Sequence, residues 1–356
     1  MVKLDTVYSI NRELVQSQPL VAVFTGGTGG IGPMALKALA ATVARHRGQG
    51  LRAYLIGRNA GAAEKLMSEC RDIYGEGEYH YIKTDDLSLV EQVDTVCADL
   101  RGAETRNAAS AGQTARIDYL FLSHGGPIFL PRQDTKEGLD RTMACLYYSR
   151  MAFVTSLMPL LLASPLPAAV VSVFAAGMEA KLYVDDLSLR APSHYSYAQA
   201  RSHVVYMHTC FFEELARRHP GRLRLIHVFP GTVLHEGVHN PANPWWVRLL
   251  FGWIIPLLGL NLDPDECGQR MVSLASPSYY PAAQPQDASN GIGSCAIAGT
   301  DERVGHGGAY AVTWSGESVY PKRKYEALDK DELRTRVWDH TNAALDVIRS
   351  GRVFQD

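Results

Sequence analysis

Cysteine is scarce in this sequence and never arranged in pairs. Six residues (Cys70, Cys97, Cys145, Cys210, Cys267 and Cys295) stand singly along 356 positions, with no Cys-x-x-Cys spacing. That pattern excludes a disulfide-stapled secreted module and predicts reduced thiols in a cytoplasmic setting. Charge of one sign is missing as well: 35 Lys plus Arg stand against 37 Asp plus Glu, a net charge of -2 without a long basic run. Nothing here would hold a phosphate backbone, so nucleic acid is not an expected partner. The first eighteen residues lack the basic, apolar and small-residue order of a secretory signal, and no Asn-x-Ser/Thr acceptor occurs. The most apolar stretch, 245–260, contains Arg248 and Pro256 and falls short of the ~20 apolar residues that span a bilayer. With 46% hydrophobic and 20% charged residues, the chain has the composition of an ordinary folded protein rather than a disordered, fibrous or coiled-coil one.

Short β-rich runs at 20–24, 51–56, 79–82, 118–122, 169–173 and 223–228 alternate with helical patterns at 31–45, 61–74, 89–100, 138–162 and 197–218. Several of the runs are continuously apolar, as strands buried on both faces must be. Alternating strand and helix predicts an α/β fold, a doubly wound parallel sheet with helices on both faces, followed by a C-terminal appendage. We expect a dinucleotide-binding Rossmann domain over 1–235 and, over 236–356, a lid and extension packed on that same domain. The stretch 101–116, rich in Ala, Gly, Ser and Thr, reads as a surface excursion. In the extension, 309–314 reads as one more strand. Asp329-Lys-Asp-Glu332 reads as a capping box opening a helix with Leu333, Val337, Leu345 and Ile348 on one face.

Directly after the first run comes Thr25-Gly-Gly-Thr-Gly-Gly-Ile-Gly-Pro33, opening a helix. Glycines let a backbone turn tightly and approach a pyrophosphate, which then meets the free N–H groups and positive end of the helix. Gly26, Thr28, Gly29, Gly30, Ile31 and Gly32 are therefore candidate cofactor contacts. After the second run, Arg58-Asn59 replaces the acidic residue that would bind the ribose hydroxyls of NAD. An arginine there suits the 2'-phosphate of NADP.

This order of motifs resembles the short-chain dehydrogenase/reductase superfamily, and in layout its divergent fungal members associated with small-molecule metabolism. Asp86-Leu87 stands where the family contacts adenine. Ser123-His124-Gly125-Gly126 stands where it has Asn-Asn-Ala-Gly, and Pro230-Gly231-Thr232-Val233 matches its turn beside the nicotinamide. The resemblance implies hydride exchange between NADP(H) and a lipophilic carbonyl, alcohol or enone, with Tyr197 of Tyr197-Ala-Gln-Ala-Arg201 as proton donor. Arginine replaces the family's lysine, Leu146 stands near its asparagine, and Phe174 or Ala175 falls at its serine; Ser172 is the candidate displaced along the strand. Tyr195 is an alternative donor, and Tyr147, Tyr148 and Arg150 are alternative cleft residues. The altered tetrad keeps two other readings open: a redox-neutral isomerase or cyclase, and a nucleotide-sensing protein without turnover. In the family, a helix pair on the sheet commonly forms a homodimer.

His235-Glu-Gly-Val-His239 spells a zinc-protease pattern but contains Gly237 and runs into Asn240-Pro241. A helix with both histidines on one face is not expected there, and we assign no metal. His235 is read instead as a polar contact in the loop over the substrate. In 245–260, large apolar residues recur in pairs about four apart. That stripe fits a lid over an apolar pocket, with a dimer surface or a membrane-surface contact as the other readings.

Overall fold

The computed structural model describes residues 1–233, 241, 243–258, 261–284, 307–319 and 321–356. Seven strands, β1 Leu20–Thr25, β2 Leu51–Gly57, β3 Glu78–Lys83, β4 Tyr119–Leu122, β5 Ala168–Val173, β6 Leu223–Val228 and β7 Ala309–Val312, form one sheet in the order β3-β2-β1-β4-β5-β6-β7. Every pairing is parallel. Each residue of β1, β2, β4, β5 and β6 is buried, because helices cover both faces. The chain winds outward from β1 in one direction to β3 and in the other to β7. The strand order thus reverses between β1 and β4, where a doubly wound sheet opens a crevice at its carboxyl ends. The expected α/β fold is the observed one.

Local chemistry sets the helix starts. Asn59 caps Ala60–Ile73 by accepting from the Ala62 N–H at 3.0 Å, and Ser196 caps Tyr197–Arg218 by accepting from Gln199 N–H. Asp329 accepts from Glu332 N–H at the start of Lys330–Arg349, as its capping box predicts. Helix Lys330–Arg349 lies on Tyr197–Arg218 and Val90–Ser110, burying Leu333, Val337, Leu345 and Ile348. Each of these contributes about 1.5–3 kcal/mol of apolar burial. The C-terminal residues thus add the seventh strand and a helix to the same core.

Two expectations need correction. The supposed excursion at 101–116 is largely helix, since Val90–Ser110 runs through it. Its alanines are good helix formers, and Glu104 is anchored inside, 3.4 Å from Arg52 and accepting from the Tyr54 hydroxyl at 2.8 Å. The single helix expected at 138–162 is instead Arg141–Met143, a π-turn at Ala144–Tyr148, Ser149–Ser156 and Met158–Leu162. The π-turn shifts the helical phase, and 146–154 are buried all round. An amphipathic helix, Leu4–Ser17, precedes β1 and buries Val7, Ile10, Leu14 and Val15. Among the described residues no helix is long and apolar enough to cross a membrane.

Candidate active site

The glycine loop is shaped by close backbone contact on one side and open space on the other. Gly26 has φ +70°, and a Cβ there would lie 2.7 Å from the His124 backbone nitrogen and 2.9 Å from the Ser123 carbonyl carbon. A Cβ on Gly32 would meet the Gly26 carbonyl oxygen at 2.7 Å. Only glycine fits either position. Gly30, φ +69°, precedes Ile31 at the start of the sixteen-residue helix Ile31–His46. Gly29 is exposed and has nothing within 4 Å of a built Cβ. Thr28 fills the space over Gly57 at the end of β2, where a Cβ would approach its hydroxyl to 2.6 Å. The residues present fit a dinucleotide: an open cradle at Gly29, edged by Thr28, faces a helix N-terminus whose dipole favours an anion.

Arg58 lies just beyond β2, exposed and without an acidic partner within ion-pair distance among the described residues. Asp86 is tied down on the same rim. Its carboxylate accepts from Ser88 N–H at 2.9 Å and Ser88 Oγ at 2.7 Å, and pairs with Arg141 Nη2 at 2.8 Å. Partial burial would raise its pKa, but these hydrogen bonds and the Arg141 and Arg58 charges hold it below the usual carboxylate value. Leu87 is buried in the core. Asn59 spends its side-chain oxygen on the helix cap described above, which leaves its amide N–H2 to face outward.

At the end of β4, Ser123 Oγ donates to the Thr25 carbonyl at 2.9 Å, and Gly125 is exposed on the rim. His124 is placed differently from the expected cofactor contact, because its ring turns into the core. Nδ1 is 2.6 Å from Thr25 Oγ1 and Nε2 is 2.8 Å from Ser149 Oγ. Ser149 donates to the Cys145 carbonyl, so it accepts from Nε2–H, and Nδ1 accepts from Thr25. Burial, aided by the Arg150 charge, drives the imidazole pKa far down and keeps it neutral. After β6, buried Pro230 leads to Gly231, φ +77° and packed against Trp314, and then to buried Val233.

Tyr197 opens its helix with Arg201 one turn further on. Burial raises the phenol pKa and the Arg201 charge opposes part of that rise. Arg201 Nε is buried without a hydrogen-bond partner. The Tyr197 ring lies 4.6 Å from that of Phe129, which in turn lies 4.8 Å from Trp246. Phe129 holds φ 59°, a strained value for a bulky residue. Trp246 belongs to the helical segment Trp245–Leu249, continued by a π-turn Leu250–Ile254; Trp245, Trp253 and Leu257 are largely exposed and Val247 is buried.

Other candidates lie elsewhere. Ser172 is fully buried, accepting from Arg150 Nη1 at 2.8 Å and lying 2.9 Å from His208 Nε2, so its hydroxyl is engaged away from the cleft. Tyr147 and Tyr148 do not line the cleft: both are buried, bonded to Thr341 at 2.7 Å and His340 at 2.7 Å on the C-terminal helix. The Tyr195 hydroxyl donates to Asp140 at 3.2 Å, and burial raises its pKa. Leu146 and Ala175 are buried apolar positions where the resembled family has polar groups. His235 and the His235–His239 pattern lie outside the described residues, as does Cys295. Sequence reasoning missed Phe129, His208 and His227; none stands in a motif, and a polar residue in a buried run carries no local signal.

No protein-family model matches the chain. It is 37% identical to the "Short-chain dehydrogenase/reductase SAT2" of Stachybotrys chartarum over 98% of both chains. It is 33% identical to the "Oxidoreductase AN1596" of Emericella nidulans over 97% of this chain and 98% of that one. In fold it is similar to the NADPH-dependent 3-quinuclidinone reductase of Rhodotorula rubra, with a TM-score of 0.54 and 17% identity over 87% of this chain and 94% of that one. It is also similar to the L-sorbose reductase of Gluconobacter frateurii, solved with NADPH and L-sorbose, with a TM-score of 0.51 and 16% identity over 74% and 91%.

Proposed function

Because the chain belongs to the short-chain dehydrogenase/reductase family, we propose that it is an NADP(H)-dependent oxidoreductase acting on a lipophilic carbonyl, alcohol or enone, in small-molecule metabolism of the kind its fungal relatives suggest. The observation that carries this reading is the open cradle at Gly29 beside an unpaired Arg58. The cofactor, when bound, supplies or accepts the hydride. The chain's part is to hold it and to manage charge and protons at the carbonyl. Gly26, Thr28, Gly30, Ile31 and Gly32 shape the phosphate cradle, Arg58 would take the 2'-phosphate with a charge-assisted contact, and Asp86 and the Ser123–Gly125 turn would border the adenine and ribose. Pro230, Gly231 and Val233 would border the nicotinamide.

Tyr197 would donate the proton to the carbonyl oxygen as negative charge develops there, with Arg201 providing the cation that eases phenol ionisation. Arginine keeps its own proton, so it steers charge and does not relay protons as a lysine can. Phe129 and Trp246 supply an apolar wall next to Tyr197, which suits a lipophilic substrate and a lid formed by the Trp245–Leu249 segment. The exposed tryptophans and leucines of that segment also make it our candidate for contact with a membrane surface or a second copy. A cytoplasmic site suits cysteines that stand singly along the sequence.

Mixing purified protein with candidate enones or ketones and NADPH tests the reading, with stoichiometric loss of NADPH absorbance as the expected result. The apolar residues at Leu146 and Ala175 favour one rival, redox-neutral isomerisation or cyclisation, and product formed with no change in NADPH would establish that rival instead. For the third reading, a nucleotide-sensing protein, the mark would be dinucleotide-dependent capture of a protein partner without turnover.

A further inference from the structure

Arg150 is a buried cation with no anion to balance it among the described residues. The residue is 1% exposed, and its guanidinium donates only to neutral acceptors: Ser172 Oγ at 2.8 Å, the Val173 carbonyl at 2.8 Å and the His124 carbonyl at 2.6 Å. Its Nε has no partner. A buried charge in this condition is costly unless something offsets it; several other buried arginines are offset by a carboxylate, while Arg224, like Arg150, donates only to neutral groups, the carbonyls of Pro167 and Ala275. Arg52 faces Glu104, Arg116 faces Asp118, and Arg334 faces Glu214.

The other titratable groups around it are neutral or would be. Ser172 donates its own O–H to His208 Nε2, because His208 Nδ1 is 2.8 Å from the Val204 carbonyl and must carry the ring hydrogen. His227 stacks on His208 at 4.7 Å, accepts from Ala175 N–H at 3.3 Å, and leaves its Nδ1 buried without a partner. Burial, with the Arg150 charge adding to it, keeps all three histidines deprotonated; His227 falls to about 3. Cys145 stays a thiol, pushed up to about 11 by burial.

The position of this charge matters. Its three acceptors sit at the carboxyl ends of β4 and β5, in the His124 turn that packs on Gly26 and at the strand end leading to Phe174 and Ala175. Resting on the NADP reading above, we propose that Arg150 acts as a fixed, uncompensated positive charge beneath the floor of the cleft, and that it makes the site hold the reduced dinucleotide in preference to the oxidised one. The two forms differ by one positive charge on the nicotinamide ring, neutral when reduced. Every other part of the molecule interacts with Arg150 alike in both forms. The protein would therefore load NADPH and release NADP+ readily.

The experiment is calorimetric titration of wild type, Arg150→Met, Arg150→Lys and Ser172→Ala with NADPH and with NADP+. The quantity read is the ratio of the two dissociation constants, which a general loosening of the site would leave unchanged. Wild type should prefer NADPH. Arg150→Met should narrow the preference about tenfold, the scale of one screened charge acting over several ångströms. Arg150→Lys and Ser172→Ala, which keep a positive charge, should keep the wild-type ratio even where affinity falls. A wild-type ratio in Arg150→Met overturns the proposal while leaving the NADP reading intact. Should Arg150→Met fail to fold, the wild type decides, since equal affinity for both forms overturns it. Wild type binding neither form overturns the proposal and the NADP reading together.

Discussion

Two alanine substitutions three positions apart should separate the structural from the binding duties of the glycine loop. Gly26→Ala places a methyl group 2.7 Å from the His124 nitrogen at φ +70°. The left-handed backbone costs a residue with a Cβ about 1–2 kcal/mol, and forcing the β4 turn aside costs about 1–3 kcal/mol more. Stability should fall by several kcal/mol by urea unfolding, with dinucleotide affinity falling alongside it. Gly29→Ala meets nothing within 4 Å and needs no positive φ, so its stability should stay within about 1 kcal/mol of wild type, on the stabilising side if anything. Its methyl group nevertheless occupies the open space assigned to the pyrophosphate. NADPH affinity by calorimetry should fall about tenfold or more, equivalent to at least ~1.4 kcal/mol. Gly29→Ala binding NADPH as tightly as wild type would refute the placement of the phosphates.

Further expectations follow from other parts of the site. Arg58→Gln should lose about 1.5–3 kcal/mol of NADPH binding and leave NADH binding unchanged; an undiminished preference for NADPH would remove Arg58 from the 2'-phosphate. Tyr197→Phe should slow turnover by ~10²- to 10³-fold at unchanged NADPH affinity, whereas full activity would exclude Tyr197 as proton donor. Thr341→Ala leaves the buried Tyr147 hydroxyl without its partner and should cost about 1–3 kcal/mol of stability in denaturant unfolding. His227, neutral in the folded protein down to about pH 3 and titrating at 6.5 when unfolded, lets the unfolded chain bind more protons as pH falls between those values. Stability is therefore lost on acidification. His227→Gln should reduce that loss by up to ~1.4 kcal/mol per pH unit within the window, and identical slopes for the two proteins would contradict a buried neutral His227.

The sheet was legible because strands such as Leu20–Thr25 and Leu223–Val228 are unbroken apolar runs between helical patterns, and the cradle because glycine follows a strand and opens a helix. Helix Tyr197–Arg218 showed through its helical pattern and length. What stayed hidden depends on direction rather than on residue type. Along β5, Ala168 and Val170 pack into one core face and Ala169, Val171 and Val173 into the other, so period-two alternation puts Ser172 under the helices, where Arg150 and His208 engage it. A π-turn just before Ser149 changes which residues of that helix face inward, and no local pattern announces it. His124 reads as a cofactor contact because its backbone packs on the glycine loop at Gly26; its ring points the other way. The helix running on to Ser110 was obscured by an Ala- and Thr-rich composition whose buried anchor, Glu104, pairs with residues more than forty positions away.

The most direct test of the account is a calorimetric comparison of NADPH and NADH on the purified full-length protein. Tight binding of NADPH with markedly weaker binding of NADH is the predicted result. Failure to bind either dinucleotide would contradict it.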